Sequence, residues 1–100
     1  MTKELERTIE KYFVQGVKKL GGKAYKFVSP GNVGVPDRIV VWPDGSVEFV
    51  ELKTKTGKLS LSQAQQIRQL RSLRCHAITL YGKDDVMDYL QGKYVAGELS

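Results

Sequence analysis

A predicted β-hairpin occupies the centre of the chain, residues 35–53, which read VPDRIVVWPDGSVEFVELK. Residues 38–42 are largely apolar and β-branched, residues 43–46 have the composition of a tight turn, and residues 47–53 are again rich in strand-forming side chains. This pattern is typical of two antiparallel strands joined by a short loop. Because the turn joins one pair of strand ends, the other two ends should lie side by side.

Charged side chains gather at the open end of this hairpin. Asp37 follows the rigid Pro36 at the start of the first strand, and Glu51 and Lys53 share one face of the second strand because side chains alternate. Two carboxylates and a lysine would suit Mg²⁺, which binds one or two protein carboxylates together with water and phosphate oxygens. Two plainer interpretations stay open: a strand-end ion pair worth under about 1 kcal/mol, and a turn-capping aspartate.

The remaining segments predict three helices and two further strands. Apolar residues at three- and four-residue steps indicate helices, and short β-branched runs bounded by glycine or proline indicate strands. The predicted elements are a helix with apolar positions from Leu5 to Leu20, capped by Thr2 and ended by residues 21–22, a strand over 24–28, a loop over 29–36, a helix from Leu61 to about Leu73 capped by Ser60, a strand over 77–81 and a short helix capped by Asp84 that ends before Gly92. This order predicts an α/β fold with a mixed sheet flanked by helices and one right-handed parallel crossover. We expect one domain over residues 1–92 and a flexible tail over 93–100.

Composition limits the chemistry open to these 100 residues. The single Cys75 and the single His76 exclude an internal disulfide and a zinc site built from the usual nitrogen and sulfur ligands. Residues 57–58 lack the flanking sequence of a phosphate-binding loop, so no nucleotide cofactor is expected. No stretch approaches the roughly 20 apolar residues that cross a bilayer, and the N-terminus lacks a signal-peptide core. We therefore expect a cytoplasmic protein without membrane contact.

A carboxylate also lies on the apolar face of the first predicted helix. At about 100° per residue, Glu6 falls inside the arc formed by Phe13, Val17 and Leu20, whereas Glu10 lies at its edge. The helix dipole explains an exposed acidic residue in the first turn, but a buried one would need another reason. The pattern leaves open which of the two glutamates approaches the hairpin.

Positive charge is concentrated in the second half of the chain, within a net charge of +5. Between residues 53 and 74 there is no acidic residue, and the basic residues there are Lys53, Lys55, Lys58, Arg68, Arg71 and Arg74. Such a region suits a polyanion, although a solvated basic face is the rival interpretation.

Four spaced motifs resemble the virus-type replication-repair nuclease (VRR-NUC) family of the PD-(D/E)XK nuclease superfamily. The motifs are Glu6-x-x-Ile9; Lys26-Phe27-x-Ser29-Pro30-Gly31-x-x-Gly34-x-Pro36-Asp37-Arg38-Ile39; Val50-Glu51-x-Lys53; and Leu59-Ser60-x-x-Gln63. The resemblance covers residues 6 to about 90. It implies a restriction-endonuclease-like αβββαβ core and a nuclease that depends on Mg²⁺ or Mn²⁺.

The resemblance also implies the roles of individual residues. It implies that Asp37, Glu51 and the backbone carbonyl of Leu52 bind the metal ion. Glu6 would bind the ion directly or through water, and Lys53 would be the catalytic lysine. Gln63 would position water or phosphate, and its plainer interpretation is an exposed helix glutamine.

DNA is the substrate that the resemblance implies. The residues that we assign to DNA contacts are Ser29, Asn32, Lys55, Lys58, Arg68 and Arg71. Standalone family members resemble Holliday junction resolvases in fold and often act as homodimers, so we expect a homodimeric endonuclease of branched DNA, of viral, prophage or bacterial type. A nuclease of ordinary duplex or single-stranded DNA and a non-catalytic DNA-binding module are the alternatives.

The chain departs from the family pattern at two places. Residues 54–55 are Thr-Lys where members often have Gly or Ala followed by Pro, and residues 74–75 are Arg-Cys where members often have a glycine. Both places lie outside the predicted metal site, so they concern loop shape and DNA contacts.

Overall fold

Three helices and four strands follow one another along residues 5–99, the part of the chain that the computed structural model describes, with side chains described for residues 5–94. In chain order the elements are α1 (Glu6–Lys19), β1 (Lys23–Lys26), β2 (Arg38–Val41), β3 (Val47–Lys53), α2 (Leu61–Ser72), β4 (His76–Tyr81) and α3 (Gly82–Leu99). This is the order that the sequence predicts, and the α/β fold class is confirmed.

The four strands form one mixed sheet in the order β1-β2-β3-β4. β2 and β3 are the predicted antiparallel hairpin, with Val41 opposite Val47 and Arg38 opposite Val50. β1 pairs antiparallel with β2, and β3 pairs parallel with β4. A parallel pair needs a crossover connection, which α2 supplies. The open end of the hairpin consequently lies beside the C-terminal end of β4.

The apolar core lies between one face of the sheet and the helices α1 and α3. Its buried residues are Ile9, Phe13, Val17, Val40, Trp42, Val50, Leu52, Leu80 and Val86. α2 lies on the other face, because its Gln63 bonds to Glu51, whose side chain alternates with the core residues of β3. The sheet is therefore flanked by helices on both faces, as the sequence predicts.

The ends of α2 follow from local hydrogen bonding. Ser60 Oγ accepts a bond from the Gln63 N–H (3.1 Å), and the Ser60 N–H donates to Gln63 Oε1 (2.9 Å), which forms a capping box and confirms the predicted cap. After the helix, Arg74 adopts the left-handed conformation at φ 66°, and its N–H donates to the Arg71 carbonyl (2.9 Å). A left-handed residue at this position commonly ends a helix.

The third helix differs most from the prediction. α3 begins at Gly82, two residues before the predicted cap Asp84, and it continues to Leu99, past the expected end before Gly92. A glycine inside a helix costs only about 1 kcal/mol relative to alanine, and no proline follows Gly92 to stop the helix. None of the helices within residues 5–99 combines the length and the apolarity needed to cross a bilayer.

Smaller differences concern α1 and β1. The predicted cap Thr2 lies outside the described residues; α1 starts after Leu5, which makes no side-chain cap hydrogen bond. β1 ends at Lys26, two residues before the predicted end at Val28, because the chain turns into the loop before β2. The boundary between a domain over 1–92 and a tail stays a prediction.

Candidate active site

Three carboxylates meet at the open end of the hairpin. Glu6 comes from the first turn of α1, Asp37 directly precedes β2, and Glu51 lies near the C-terminal end of β3; one oxygen of each lies within 4.8 Å of the others. Negative charges at this separation repel one another unless a cation or a proton offsets them. The approach of Asp37 to Glu51 is the one that the hairpin predicts.

Asp37 is held by backbone groups. Its Oδ2 accepts a hydrogen bond from the Leu52 N–H (2.8 Å), its carbonyl accepts one from the Phe27 N–H (3.0 Å), and Pro36 before it is fully buried. Because the N–H and the C=O of one strand residue point to the same side, the Leu52 carbonyl is on the edge of β3 that faces Asp37. The predicted backbone ligand therefore lies next to the carboxylates.

Glu51 is the most buried of the three, with 1% of its side chain exposed. Its Oε2 accepts a bond from Gln63 Nε2 (3.1 Å) and lies 3.8 Å from Lys53 Nζ, whereas the buried Oε1 has no hydrogen-bond partner among the described residues. Burial, and next the negative charge of Asp37, raise the pKa of Glu51 from 4.5 to about 8, although Lys53 opposes the shift. These are the properties of a carboxyl group that keeps a proton near neutral pH unless an additional cation lies beside it.

Glu48, in the same strand, shows how this fold satisfies a buried glutamate for structural reasons. It accepts hydrogen bonds from Trp42 Nε1 (2.7 Å) and from the Tyr89 hydroxyl, and it pairs with Lys93 Nζ (2.9 Å). Burial would raise the pKa of Glu48, but these hydrogen bonds outweigh burial and hold the pKa below its ordinary value. The unpaired oxygen of Glu51 is thus a property of the carboxylate cluster and not of every buried glutamate in this strand.

Gln63 links the first turn of α2 to the cluster. Its Oε1 accepts the Ser60 N–H in the capping box, and its Nε2 donates to Glu51. The interpretation of Gln63 as an exposed, solvated glutamine is therefore wrong. Lys53 follows on the same face of β3, with 14% of its side chain exposed. Both residues contact the most buried carboxylate.

The two glutamates of α1 have different partners. Glu6 is exposed and joins the cluster, whereas Glu10 Oε2 pairs with Arg38 Nε (3.0 Å). Arg38 Nη1 also donates to the Ala24 carbonyl (3.2 Å). Glu6 is therefore the helix carboxylate of the cluster, and Glu10 fastens α1 to β2. The sequence does not predict this contact, because it joins residues 28 positions apart in the chain.

The loop before Asp37 rests on the first turn of α2. Gly34 adopts φ 88°, and a Cβ at this position would lie 2.6 Å from the Ser62 carbonyl carbon and 2.8 Å from the Gln63 nitrogen. Only glycine fits such a backbone approach. The glycine belongs to the family motif, but its partner in α2 is not visible in the sequence.

The predicted DNA-contact residues lie in the two loops that adjoin β2 and β3 and on α2. Ser29 and Asn32 lie in the loop before Asp37, where Asn32 Nδ2 donates to Ser29 Oγ (2.9 Å). Lys55 and Lys58 are exposed between β3 and α2, and Arg68 is exposed on α2. Their assignment to DNA contacts stays a prediction.

Arg71 has a structural contact in addition. It is exposed, but its Nε donates to the Ala77 carbonyl (2.8 Å) near the start of β4. One of its donors therefore joins the end of α2 to the sheet.

Residues 4–84 match the model of the VRR-NUC domain family. The chain belongs to the VRR-NUC domain family. A protein named "Putative nuclease p44" from Acyrthosiphon pisum secondary endosymbiont phage 1 is 46% identical to this VRR-NUC chain over 79 residues, which are 79% of the chain and 85% of the relative. The family and this relative support a nuclease.

Two solved structures resemble this VRR-NUC protein. One, described as "VRR_NUC domain", has a TM-score of 0.81 at 25% identity and covers 86% of this chain and 94% of its own. The other, described as "VRR_NUC domain protein", has a TM-score of 0.68 at 18% identity over 90% of this chain and 88% of its own. The second likeness shows the fold alone.

Proposed function

We propose that this VRR-NUC protein is a divalent-metal-dependent DNA endonuclease. The proposal is carried by the cluster of Glu6, Asp37 and Glu51, in which the buried Oε1 of Glu51 has no donor among the described residues. Carboxylate and carbonyl oxygens are the ligands that Mg²⁺ and Mn²⁺ prefer. Glu48, in the same strand, has hydrogen-bond and ion-pair partners, so the fold can satisfy a buried glutamate. The unpaired oxygen of Glu51 therefore supports a functional reason for the cluster.

The residues of the cluster would hold one ion. Asp37, Glu51 and the Leu52 carbonyl would bind it, and Glu6 would bind it directly or through water. When bound, a divalent ion supplies positive charge that stabilises the pentacovalent phosphorus and makes a nearby water more acidic. The Leu52 N–H orients Asp37 and Gln63 Nε2 orients Glu51, so both ligands are positioned by the fold.

Lys53 is the residue that we assign to the chemical step. Its Nζ lies 3.8 Å from Glu51 Oε2, at the edge of the cluster. An ammonium group there orients the attacking water and balances the negative charge that builds on the phosphate. Water adds its oxygen to phosphorus, and its proton finally resides on the departing sugar oxygen. Gln63 would assist by positioning water or phosphate in addition to Glu51.

Branched DNA is the substrate that we propose, with a homodimer as the acting form. The exposed basic residues after β3 and on α2 would provide phosphate contacts without base recognition. Selection by DNA shape then follows more readily than selection by sequence. A dimer would place two clusters on two strands of one junction. We propose the cytoplasm as the place of action, because DNA is the substrate.

Cleavage of a matched panel tests the proposal. Single-stranded, duplex, flap and four-way-junction DNA are incubated with Mg²⁺, Mn²⁺ or EDTA, and Lys53→Ala purified in parallel controls for contaminating nucleases. We expect metal-dependent cutting that the variant loses and that is strongest on the junction. Equal cutting of all substrates would instead favour a general nuclease, and binding without cutting under any metal would favour a non-catalytic module.

A further inference from the structure

The residue that ends α2 has an unusual backbone for its type. Among the described residues, Arg74 is the non-glycine residue with a positive φ, at 66°. Its N–H donates to the Arg71 carbonyl, and the following Cys75 N–H donates to the Leu70 carbonyl (3.0 Å). Glycine adopts this conformation without steric cost, whereas an arginine must overcome the clash of its Cβ. The side chain of Arg74 is exposed, so burial of its atoms does not explain the arginine.

A positive charge at the C-terminal end of α2 would be a structural reason for an arginine at position 74, but Arg71 already supplies that charge. A cation near the C-terminus of a helix interacts favourably with the helix dipole. Arg71 stands in the last turn of α2 and is fixed there by its bond to the Ala77 carbonyl. A second cation in a strained conformation therefore calls for a partner outside the helix.

The stretch of sequence that contains Arg74 carries a single sign of charge. No acidic residue occurs between Leu52 and Lys83 in the sequence. Within this segment the exposed basic residues, from the cluster end of α2 to its far end, are Lys55, Lys58, Arg68, Arg71 and Arg74. A run of exposed cations that begins beside the carboxylate cluster is complementary to a phosphate backbone that leaves the cluster along α2.

The length of α2 sets the distance between Arg74 and the cluster. Gln63 at the first turn contacts Glu51, and Arg74 follows the opposite end of this 12-residue helix. At about 1.5 Å per residue the helix spans about 18 Å, which corresponds to about five base pairs of duplex at about 3.4 Å each.

We propose that Arg74 binds a phosphate of a duplex arm about five base pairs from the cleaved bond, and that its left-handed backbone holds the guanidinium at the far end of a binding surface along α2. This inference rests on the proposed DNA endonuclease function and adds a specific requirement to it: the substrate must have a paired arm long enough to reach Arg74.

Binding measurements with arms of different length test the requirement. DNA affinity is measured with Mg²⁺ in a Lys53→Ala background, which keeps the DNA uncut, on branched DNA whose tested arm has either about 4 or about 12 base pairs and is closed by a hairpin loop. Arg74→Gly removes the charge and suits the left-handed backbone, so it should fold at least as stably as its parent. Arg74→Lys keeps the charge, and Lys18→Gln removes an equal charge from the exposed surface of α1.

For Arg74→Gly on the long arm we expect affinity to fall about two- to fivefold, with a salt dependence less steep by about 0.9. On the short arm its affinity should equal that of the parent, and Lys18→Gln should resemble the parent on both arms. Arg74→Lys should retain most of the affinity. Unchanged binding by Arg74→Gly on the long arm, or the same loss on both arms, overturns this inference alone. Failure of the parent to bind any DNA overturns the proposed function, and this inference with it.

Discussion

Two buried glutamates three residues apart in β3 have opposite electrostatic surroundings. Glu48 has an aromatic N–H, a hydroxyl and a lysine as partners, and the hydrogen bonds hold its pKa below the ordinary value. Glu51 has one unpaired buried oxygen and a neighbouring Asp37, and burial is the main cause of its raised pKa of about 8. Only the first arrangement is favourable for the protein alone, so we expect Glu51 to lower the stability of the metal-free fold.

The Glu51→Gln variant tests this expectation through pH. Between pH 4.5 and about 8 the folded protein keeps a proton on Glu51 that the unfolded chain releases, so the contribution of Glu51 to stability falls as pH rises through this window. Metal-free Glu51→Gln should therefore exceed the wild type in unfolding free energy by about 1–3 kcal/mol near pH 8 and by less near pH 5. Denaturant unfolding in EDTA at both pH values measures the difference.

Glu48→Gln is the matched control for that experiment. It makes the same chemical change in the same strand, but it removes a carboxylate that is paired with Lys93 and hydrogen-bonded. We expect it to destabilise the protein by about 1–3 kcal/mol near neutral pH. Destabilisation by both variants would contradict the distinction between the two sites.

Substitutions at Asp37 and at Lys53 should impair different steps, metal binding in the first case and cleavage in the second. Asp37→Asn would weaken a proposed metal ligand, so both metal affinity and cleavage should fall. Lys53→Ala leaves the carboxylates in place, so metal affinity should persist while the cleavage rate drops by about 100-fold or more. Titration calorimetry with Mn²⁺ and single-turnover cleavage separate the two effects. Full activity in either variant would reject the assignment.

At the scale of elements, the position of the loop before Asp37 depends on its contact with α2. Residue 34 has a left-handed backbone, and in Gly34→Ala the new Cβ would lie 2.6 Å from a backbone atom of Ser62. The loop and the helix must therefore separate. We expect a loss of about 2–4 kcal/mol in stability, and a loss of cleavage, because Asp37 and Gln63 lie on the two separated elements. Thermal unfolding and cleavage assays measure both.

A second glycine in the same loop provides the control for backbone strain. Gly31 has a similar φ of 83°, but a Cβ there would meet nothing within 4 Å. Gly31→Ala should cost only about 1 kcal/mol and leave cleavage nearly intact. If the two variants behaved alike, the contact between the loop and α2 would have no part in the site.

At the scale of the whole molecule, local sequence patterns predict the short-range features of the fold but not the contacts between distant elements. The turn at residues 43–46 and the Ser60 capping box are short-range, and the hairpin, the helix cap and the approach of Asp37 to Glu51 follow from them. The pairing of Arg38 with Glu10 and the contact of Gly34 with α2 depend on how separate elements pack. The length of α3 was mispredicted because the glycines inside it, Gly92 and Gly97, each cost less than is needed to end a helix.

The carboxylate cluster joins three elements that are distant in the chain, namely α1, the residue before β2, and β3. An ion bound there must be released when the fold opens, so binding should stabilise the whole domain rather than one loop. At a Mg²⁺ concentration about 100 times the dissociation constant we expect about 2.7 kcal/mol of added stability and a Tm higher by roughly 10–20 °C. Thermal unfolding across a Mg²⁺ titration measures the shift.

The variants separate this stabilisation from general salt effects. Asp37→Asn should lose most of the Mg²⁺-dependent rise in Tm, whereas Lys53→Ala should keep it, because the lysine is not among the proposed ligands. A matched ionic strength of NaCl should produce no comparable rise, since monovalent salt only screens the repulsion among the carboxylates. An equal rise in wild type and Asp37→Asn would place the stabilising ion elsewhere on the protein and would contradict the metal site proposed at the open end of the hairpin.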